Sequence, residues 1–358
     1  MKSRQIVQIL VLLPVFILIL FFQINAQQVR SVRDDVGFCW RSNEFNALID
    51  YLDNINKDTE RPSGKLAAGI SPHDDYLYAS NIYYPLFRNI KASEVVIFGV
   101  THGTVRKEIK DPKNVIILDE FSEWIGPEGP VKTSPLRELI KSKLNPGSFV
   151  VNNKAQALEH SIEAMIPFLQ HYNKNVKITP IMVTAMQFGQ MDSVSNELSS
   201  IIADYISRNN LKPGEDVFFL ISSDANHYGA DFNNTPFGDD ETAHKLATDK
   251  DKKIANQYFN EFLSRTEIEN LTRELWAQTP EGKAALSWCG RYSIPFGLLT
   301  TLKVIEKTTH QSLKGKLLRY SDTWTEGVIP IKNTHMGLTA PFSLKHWVGF
   351  LSAGFYIN

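Results

Sequence analysis

Four of the nine histidines in this sequence lie where an apolar run gives way to a polar or glycine-containing turn. They are His73, His102, His160 and His227, and Cys289 follows them later in the chain. Imidazole, thiolate and carboxylate groups bind transition metals and transfer protons near neutral pH. In a fold of alternating strands and helices, residues that follow parallel strands meet in one crevice. The pattern therefore predicts a metal or acid–base site.

The first two histidines follow short apolar runs that are typical of buried strands, 65–70 and 94–100. Pro72 stiffens the exit before His73, and a glycine after His102 lets the backbone approach whatever that histidine contacts. Because neighbouring strands lie about 4.8 Å apart, both imidazoles are expected to reach one ion. The alternative for His73 is a loop histidine held by one of the two aspartates that follow it.

The segment 159–163 (Glu-His-Ser-Ile-Glu) is predicted to begin a helix that runs to residue 172. His160 and Glu163 share one face of this helix as i, i+3 neighbours, and the other face is apolar and predicts core. We expect both residues to orient metal ligands through hydrogen bonds, because ligating groups usually need such partners. Direct ligation by His160 is the alternative.

The strongest strand pattern, residues 216–221, is followed by Ser-Ser-Asp-Ala-Asn-His. Its Asp224 and His227 are predicted to form a carboxylate–imidazole pair, which fixes the imidazole tautomer and raises its basicity. An Asx turn that only closes the strand is the alternative.

Cys289-Gly290-Arg291 precedes a predicted helix that begins near Ile294. The helix dipole and Arg291 are expected to favour the thiolate, which can complete a metal site or act as a nucleophile. A buried, inert cysteine is one alternative. A disulfide with Cys39 is another, since only these two cysteines exist.

Short apolar runs alternate with amphipathic segments along the chain, which predicts an α/β fold: one domain with a mainly parallel central sheet flanked by helices. The predicted strands are 65–70, 94–100, 115–118, 149–151, 176–183, 216–221, 317–321 and 346–356, and the predicted helices are 43–55, 159–172, 192–208, 240–265 and 294–306. Residues 230–240 are polar and rich in Asn, Pro and Gly, and are expected to form a rim beside the site.

Residues 1–26 have the pattern of a secretory signal peptide: Lys2 and Arg4, an apolar run over 6–22, and the small residue Ala26. The apolar run is long enough that an uncleaved N-terminal anchor is the alternative. We therefore expect an exported protein, periplasmic or extracellular, whose α/β domain spans 27–358.

Of the 358 residues, 43% are hydrophobic and 22% charged, and the formal net charge is −1. This is ordinary globular composition. The near-zero charge argues against nucleic acid as a partner. A small-molecule substrate is expected, and no membrane contact beyond a possible N-terminal anchor.

Taken in order, these motifs resemble the Memo family, also called AmmeMemoRadiSam system protein B. The resemblance extends from Val36-Gly37-Phe38 to Val348-Gly349-Phe350. Its blocks are Ser71-Pro72-His73, Gly99-Val100-Thr101-His102, Glu159-His160-Ser161-Ile162-Glu163, Ser222 to His227, and Cys289-Gly290-Arg291.

The resemblance implies a fold similar to class III extradiol dioxygenases, which are non-haem iron enzymes. It implies that His73, His102 and Cys289 are metal ligands, with His227 as the acid–base histidine and Asp224 beside it. Iron or copper and redox chemistry are implied for the family. The sequence departs from the family pattern in having two aspartates after the first histidine, where Ala-Gly is usual. It also has one histidine before Gly103, where relatives often have two.

The favoured hypothesis is a non-haem oxidoreductase that depends on Fe(II) or copper and has a two-histidine, one-cysteine site. His160, Glu163 and Arg291 are expected to support the ligands. One alternative is a protein that binds a metal or another ligand without turnover. Another is a metal-assisted hydrolase in which Asp224 and His227 activate water.

Overall fold

The computed structural model describes residues 28–59, 62–279 and 285–358, in which strands and helices alternate. The strands are β1 (Val29–Arg30), β2 (Lys65–Ser71), β3 (Glu94–Val100), β4 (Ile116–Leu118), β5 (Glu123–Trp124), β6 (Val131–Lys132), β7 (Phe149–Val151), β8 (Lys177–Val183), β9 (Val217–Ser222), β10 (His227–Gly229), β11 (Leu313–Asp322) and β12 (His346–Ile357). The helices are α1 (Ser42–Ile55), α2 (Tyr76–Phe87), α3 (Gly103–Glu108), α4 (Pro135–Lys143), α5 (Asn153–Leu158), α6 (Ile166–Tyr172), α7 (Phe188–Arg208), α8 (Glu241–Phe259), α9 (Arg265–Trp276), α10 (Ser293–Thr309) and α11 (Thr323–Glu326).

The main sheet has the strand order β10-β12-β2-β9-β3-β8-β4-β7, and β11 pairs with β12 outside this path. The four central strands, β2, β9, β3 and β8, are parallel to one another. Antiparallel pairs flank them, because β12 runs against β2 and β4 runs against β8. The predicted single α/β domain is confirmed, with a parallel centre inside a mixed sheet.

Successive residues of the central strands point to two separate cores, as the two-residue period of a strand requires. On β3, Val96 and Phe98 belong to the core that contains α7, α8 and α10, whereas Val95 and Ile97 belong to the core that contains α1, α2 and α6. Because both faces are covered by helices, the strand sequences are apolar throughout.

Among the helices that differ from the predictions, two have a clear physical reason. The segment 240–265 was predicted as one helix, but α8 ends at Phe259 and α9 begins at Arg265, where the Ser264 side chain accepts a hydrogen bond from the Glu267 amide at 3.1 Å. Helix α2 was not predicted. Nearly all of its residues are buried, so its sequence lacks the polar face that marks an amphipathic helix.

The predicted signal peptide, residues 1–26, lies outside the described residues. Among the helices of the described ranges, none has the length and apolar character needed to cross a membrane.

Candidate metal centre

Three polar side chains follow the carboxyl ends of neighbouring strands. His73 lies two residues after β2, Asp224 two after β9 and His102 two after β3. We expected β2 and β3 to be adjacent, but β9 lies between them. The two imidazoles nevertheless meet beyond the strand ends, with their Nε2 atoms 3.3 Å apart.

His73 is buried, and its hydrogen bonds assign the position of its proton. Its Nδ1 lies 2.7 Å from Oγ of Ser222, and that hydroxyl donates its own proton to the Ser161 carbonyl at 2.7 Å. Ser222 must therefore accept from Nδ1, which leaves the lone pair of Nε2 facing the site. The same Nε2 lies 3.3 Å from Oδ2 of Asp224 and 3.4 Å from Sγ of Cys289.

His102 is oriented in the same way by Glu159. Its Nδ1 lies 2.8 Å from Oε1 of Glu159, and its backbone amide donates to Oε2 at 3.0 Å. Burial opposes the charge of Glu159, but His102 and then His160 outweigh it and hold its pKa below the usual value. An ionised carboxylate only accepts, so Nδ1 of His102 carries a proton, and the neutral ring presents the lone pair of Nε2. Burial opposes protonation of His102, but the charge of Glu159 and its hydrogen bond outweigh burial and raise the pKa of His102 above its usual value. The sequence analysis included Glu159 in a motif but did not predict a role for it.

His160 lies closer to the site than we predicted. Its ring stacks on His102 with centroids 4.6 Å apart and planes at 10°, and it also faces the His73 ring at 5.5 Å. Burial, followed by the charge of His102, lowers the pKa of His160 to about 4, so the imidazole is neutral at pH 7. His160 precedes the short 3₁₀ turn Glu163–Met165 and does not lie on a helix.

Two groups of donors in the described ranges can each hold a metal ion, with their ligand atoms within 4.8 Å of one another. The histidine group consists of His73, His102 and His160, and the thiol group consists of His73, Asp224 and Cys289. The predicted ligands His73, His102 and Cys289 are thus divided between two groups that share His73.

Cys289 is held against the end of β9. The amide of Asp224 donates to Sγ at 3.0 Å. A side chain at Gly290 would place its Cβ 2.2 Å from Oγ of Ser223, so the close approach requires glycine. Both Cys39 and Cys289 are free thiols, so no disulfide joins these two described residues.

The thiolate that we expected at Cys289 is not favoured by its surroundings. Burial, and next the charge of Asp224, raise the pKa of the Cys289 thiol well above its usual value. Arg291 instead packs its guanidinium on the Tyr292 ring, 5.4 Å from the centroid. Burial also raises the pKa of Asp224 to about 7.

Asp224 and His227 do not form the predicted carboxylate–imidazole pair. The backbone amide of His73 donates to Oδ1 of Asp224 at 2.8 Å, while Nδ1 of His227 faces the Ala225 carbonyl at 3.3 Å. The turn after β9 thus directs the two side chains to different partners. Burial lowers the pKa of His227 to about 4. Its acid–base role stays a prediction.

Glu163 also lies elsewhere than predicted. It is buried in an ion pair with Arg30 and accepts hydrogen bonds from the amides of Arg33 at 3.0 Å and Asp34 at 2.8 Å. The i, i+3 spacing did not place it beside His160, because the segment is not an α-helix there. Glu163 therefore fixes the segment that follows β1.

Asp251, on α8, is a buried residue that the sequence analysis did not single out. It accepts hydrogen bonds from Nε1 of Trp288 at 2.9 Å, the amide of Asn226 at 3.2 Å and the hydroxyl of Tyr320 at 2.8 Å. Burial raises its pKa to about 6. Asp251 thus ties the Cys289 loop to the His227 loop. Its signal in the sequence is an aspartate on the buried face of α8.

Two cavities of about 230 Å³ each border these residues. The basic cavity is lined by residues that include His102, Arg106, Cys289, Arg291 and Tyr292. The acidic cavity is lined by residues that include Asp74, Asp75, Tyr78, His227, Phe232 and Phe342. Phe232 comes from the loop 230–240 that was expected to form a rim.

The model of the Memo-like protein family matches residues 38–328, a range that contains every member of both donor groups. A MEMO1 family protein of Pyrococcus horikoshii is 29% identical over 224 residues, covering 59% of this chain and 71% of that protein. One from Saccharolobus islandicus is 32% identical over 167 residues, covering 44% of this chain and 52% of that protein. One from Metallosphaera sedula is 29% identical over 164 residues, with the same two coverages.

Proposed function

The chain belongs to the Memo-like protein family, and on that premise we propose that it is an exported oxidoreductase that holds Fe(II) or copper at His73, His102 and Cys289. Likeness to AmmeMemoRadiSam system protein B and to class III extradiol dioxygenases is part of this proposal. The observation that carries it is the pair of imidazole Nε2 atoms, 3.3 Å apart, on rings whose Nδ1 atoms both donate to protein acceptors. Two facing lone pairs repel unless a cation or a proton lies between them.

Each of the two donor groups fits such an ion, and the proposed ligands are drawn from both groups through the shared His73. Ligands bound at about 2.0–2.3 Å in a tetrahedral arrangement lie about 3.3–3.8 Å from one another. Nε2 of His73 has three neighbours at such distances: Nε2 of His102 at 3.3 Å, Oδ2 of Asp224 at 3.3 Å and Sγ of Cys289 at 3.4 Å. Imidazoles with a soft sulfur suit copper, and imidazoles with a carboxylate suit iron.

A bound iron or copper ion would supply one-electron redox chemistry, and the residues around it would handle protons. Because the pKa of Asp224 is raised by burial to about 7, its carboxyl can hold or release a proton near neutral pH. Nδ1 of His227 faces a carbonyl oxygen, so its Nε2 is free to accept a proton from a substrate hydroxyl that reaches the border of the acidic cavity. Ser222 and Glu159 keep the two ligating imidazoles in one tautomer.

The test is the metal content of protein purified without added metal, followed by anaerobic titration with Fe(II) and Cu(I). We expect about one ion per wild-type chain and none after His73→Ala, because both donor groups contain this residue. The matched control is His310→Asn, an exposed histidine in a left-handed conformation that asparagine also tolerates. Wild-type protein that binds neither metal would contradict the proposal.

Measurements of catalytic turnover distinguish the proposed oxidoreductase from a hydrolase and from a binding protein. Oxygen uptake with catechols or other hydroxylated substrates, lost in His227→Ala while the metal is retained, would support the oxidoreductase. Activity with Zn(II) and no need for oxygen would identify a metal-assisted hydrolase. Metal without any turnover would identify a binding protein.

Export is tested by fractionating cells that produce the full chain. We expect the protein in the extracytoplasmic fraction with Gln27 as its N-terminal residue. Full-length protein in the membrane fraction would indicate an uncleaved anchor. Full-length protein in the cytosol would contradict export.

A further inference from the structure

The basic cavity contains two arginines whose charges are not neutralised by the protein. In the residues that the structure describes, neither Arg106 nor Arg291 forms an ion pair with a carboxylate, and none of those that line this cavity is acidic. Both side chains are half-buried. A guanidinium that is partly removed from water without a counter-charge is costly, so this arrangement is typical of a site for an anion.

Arg106 also has a buried donor without an acceptor. Its Nε is inaccessible to solvent and forms no hydrogen bond with any residue in the described ranges. Buried donors are nearly always paired in folded proteins, so an unpaired one points to an absent partner. A guanidinium forms two parallel hydrogen bonds with a carboxylate or phosphate, and Nε takes part in one such geometry.

The serine and threonine side chains of this cavity are already used by the protein. Oγ of Ser293 donates to the Ser222 carbonyl at 2.9 Å, and Oγ1 of Thr101 donates to the Val183 carbonyl at 2.9 Å. Oγ of Ser287 donates to the His227 carbonyl at 2.8 Å. The two arginines are therefore the charged donors that remain for a ligand among the described residues of this cavity.

We propose that the substrate is a small organic anion whose carboxylate or phosphate group binds Arg106 and Arg291 in the basic cavity. This rests on the proposed function, because His102 and Cys289 line the same cavity. An anion held there has its reactive end beside the candidate metal ligands. The cavity, at about 230 Å³, is below the usual volume of about 300–1,000 Å³ for a drug-sized ligand. The substrate is correspondingly small.

The test is calorimetric titration of the purified full chain with benzoate, inorganic phosphate and benzamide, the last being a neutral analogue of benzoate. We expect at least one of the two anions to bind and benzamide to bind much more weakly. The stronger anion identifies the group as a carboxylate or a phosphate. Arg106→Gln and Arg291→Gln should each weaken its binding about tenfold or more, since a charge-assisted hydrogen bond is lost. The control is Arg273→Gln, an exposed arginine paired with Glu269, which should leave binding unchanged.

Binding of neither anion, or equal binding by wild type and both arginine variants, would overturn the anion proposal. The same titrations on His73→Ala protein separate it from the proposed function. If the wild-type protein holds no iron or copper but still binds the anion through its arginines, only the metal proposal is contradicted. Normal metal content without arginine-dependent binding would contradict only the anion proposal.

Discussion

The histidine group and the thiol group meet at one imidazole but differ in what their donors require before they bind an ion. In the histidine group, Ser222 and Glu159 hold two rings with Nε2 free, and His160 is neutral because burial lowers its pKa to about 4. In the thiol group, burial raises the pKa of both Cys289 and Asp224. The histidine group has one donor with a raised pKa, His102, whereas the thiol group has two donors that must lose protons before they bind an ion.

This difference means that position alone does not decide which donors would hold a metal ion. Deprotonating a thiol is unfavourable, but the thiolate then forms a strong bond to copper or iron. A third neutral imidazole needs no deprotonation but binds the metal less strongly. The proposed site takes two ligands from the histidine group and Cys289 from the thiol group. The following predictions test that choice, in order of decreasing effect on metal affinity.

Replacing the thiol should have the largest effect after loss of His73 itself. We expect Cys289→Ser to weaken Cu(I) binding about 100-fold or more, and His160→Gln to weaken it less than about tenfold, as expected for a partner beside the ligands. Affinities are measured by competition with a chelator of known strength. The opposite order would assign the metal to the histidine group.

The pH dependence of metal affinity should show proton release from the thiol group. The pKa of the Cys289 thiol is raised well above its usual value, so the thiol holds its proton at neutral pH and must lose it on coordination. Affinity should therefore increase with pH, by about tenfold per pH unit between pH 6 and 8 for each proton released. Calorimetry in buffers of different ionisation enthalpy counts these protons. Cys289→Ser should reduce the count by one, and a proton count that this substitution leaves unchanged would argue for the histidine group.

Loss of the partner that orients His102 should have a smaller effect. Glu159→Gln removes the charge that fixes the imidazole proton on Nδ1, and partners of this kind are usually worth about 10–100-fold in metal affinity. We expect the lower end of that range, because the amide oxygen can still accept from Nδ1. Ser222→Ala is the matching change for His73. If neither variant alters chelator competition, the orientation argument is wrong.

Asp251→Asn should have the smallest effect on metal affinity, about threefold or less, or about 0.7 kcal/mol, because its contacts are to Trp288 and Asn226 and not to a donor. The main effect of this substitution should be on the pH dependence of the free energy of unfolding. Burial raises the pKa of Asp251 from 3.8 to about 6, so the folded protein retains a proton that the unfolded chain loses. Wild type should lose stability as pH rises from about 4 to 6, whereas the variant should not lose this contribution. Identical denaturation profiles across that range would contradict it.

Much of the site could be predicted from local sequence. His73, His102 and Asp224 each follow an apolar strand pattern, and such patterns reliably mark the edge of a parallel sheet. Cys289 was found through its motif and the family resemblance. The structure brings the first three residues together, although β9 lies between β2 and β3, because all three follow the carboxyl ends of neighbouring parallel strands.

The contacts that orient these residues could not be predicted in the same way. Glu159 and His102 are 57 residues apart, and Asp251 joins two loops distant from α8. Periodicity reports which face of an element is buried but not which polar partner lies opposite. The same limit explains Glu163, whose helical spacing suggested a neighbour of His160 and whose actual partner is Arg30.

The wide spacing of the site along the chain has a consequence for how the protein folds. His73 meets Asp224 across 151 residues and Cys289 across 216 residues. Contacts of such high sequence separation form slowly, after the central strands have assembled. The unfolded chain therefore has no high-affinity site. If the chain crosses a membrane unfolded, as the proposed export implies, the metal is acquired where folding finishes. The metal supply of that compartment, and not that of the cytosol, then selects between iron and copper.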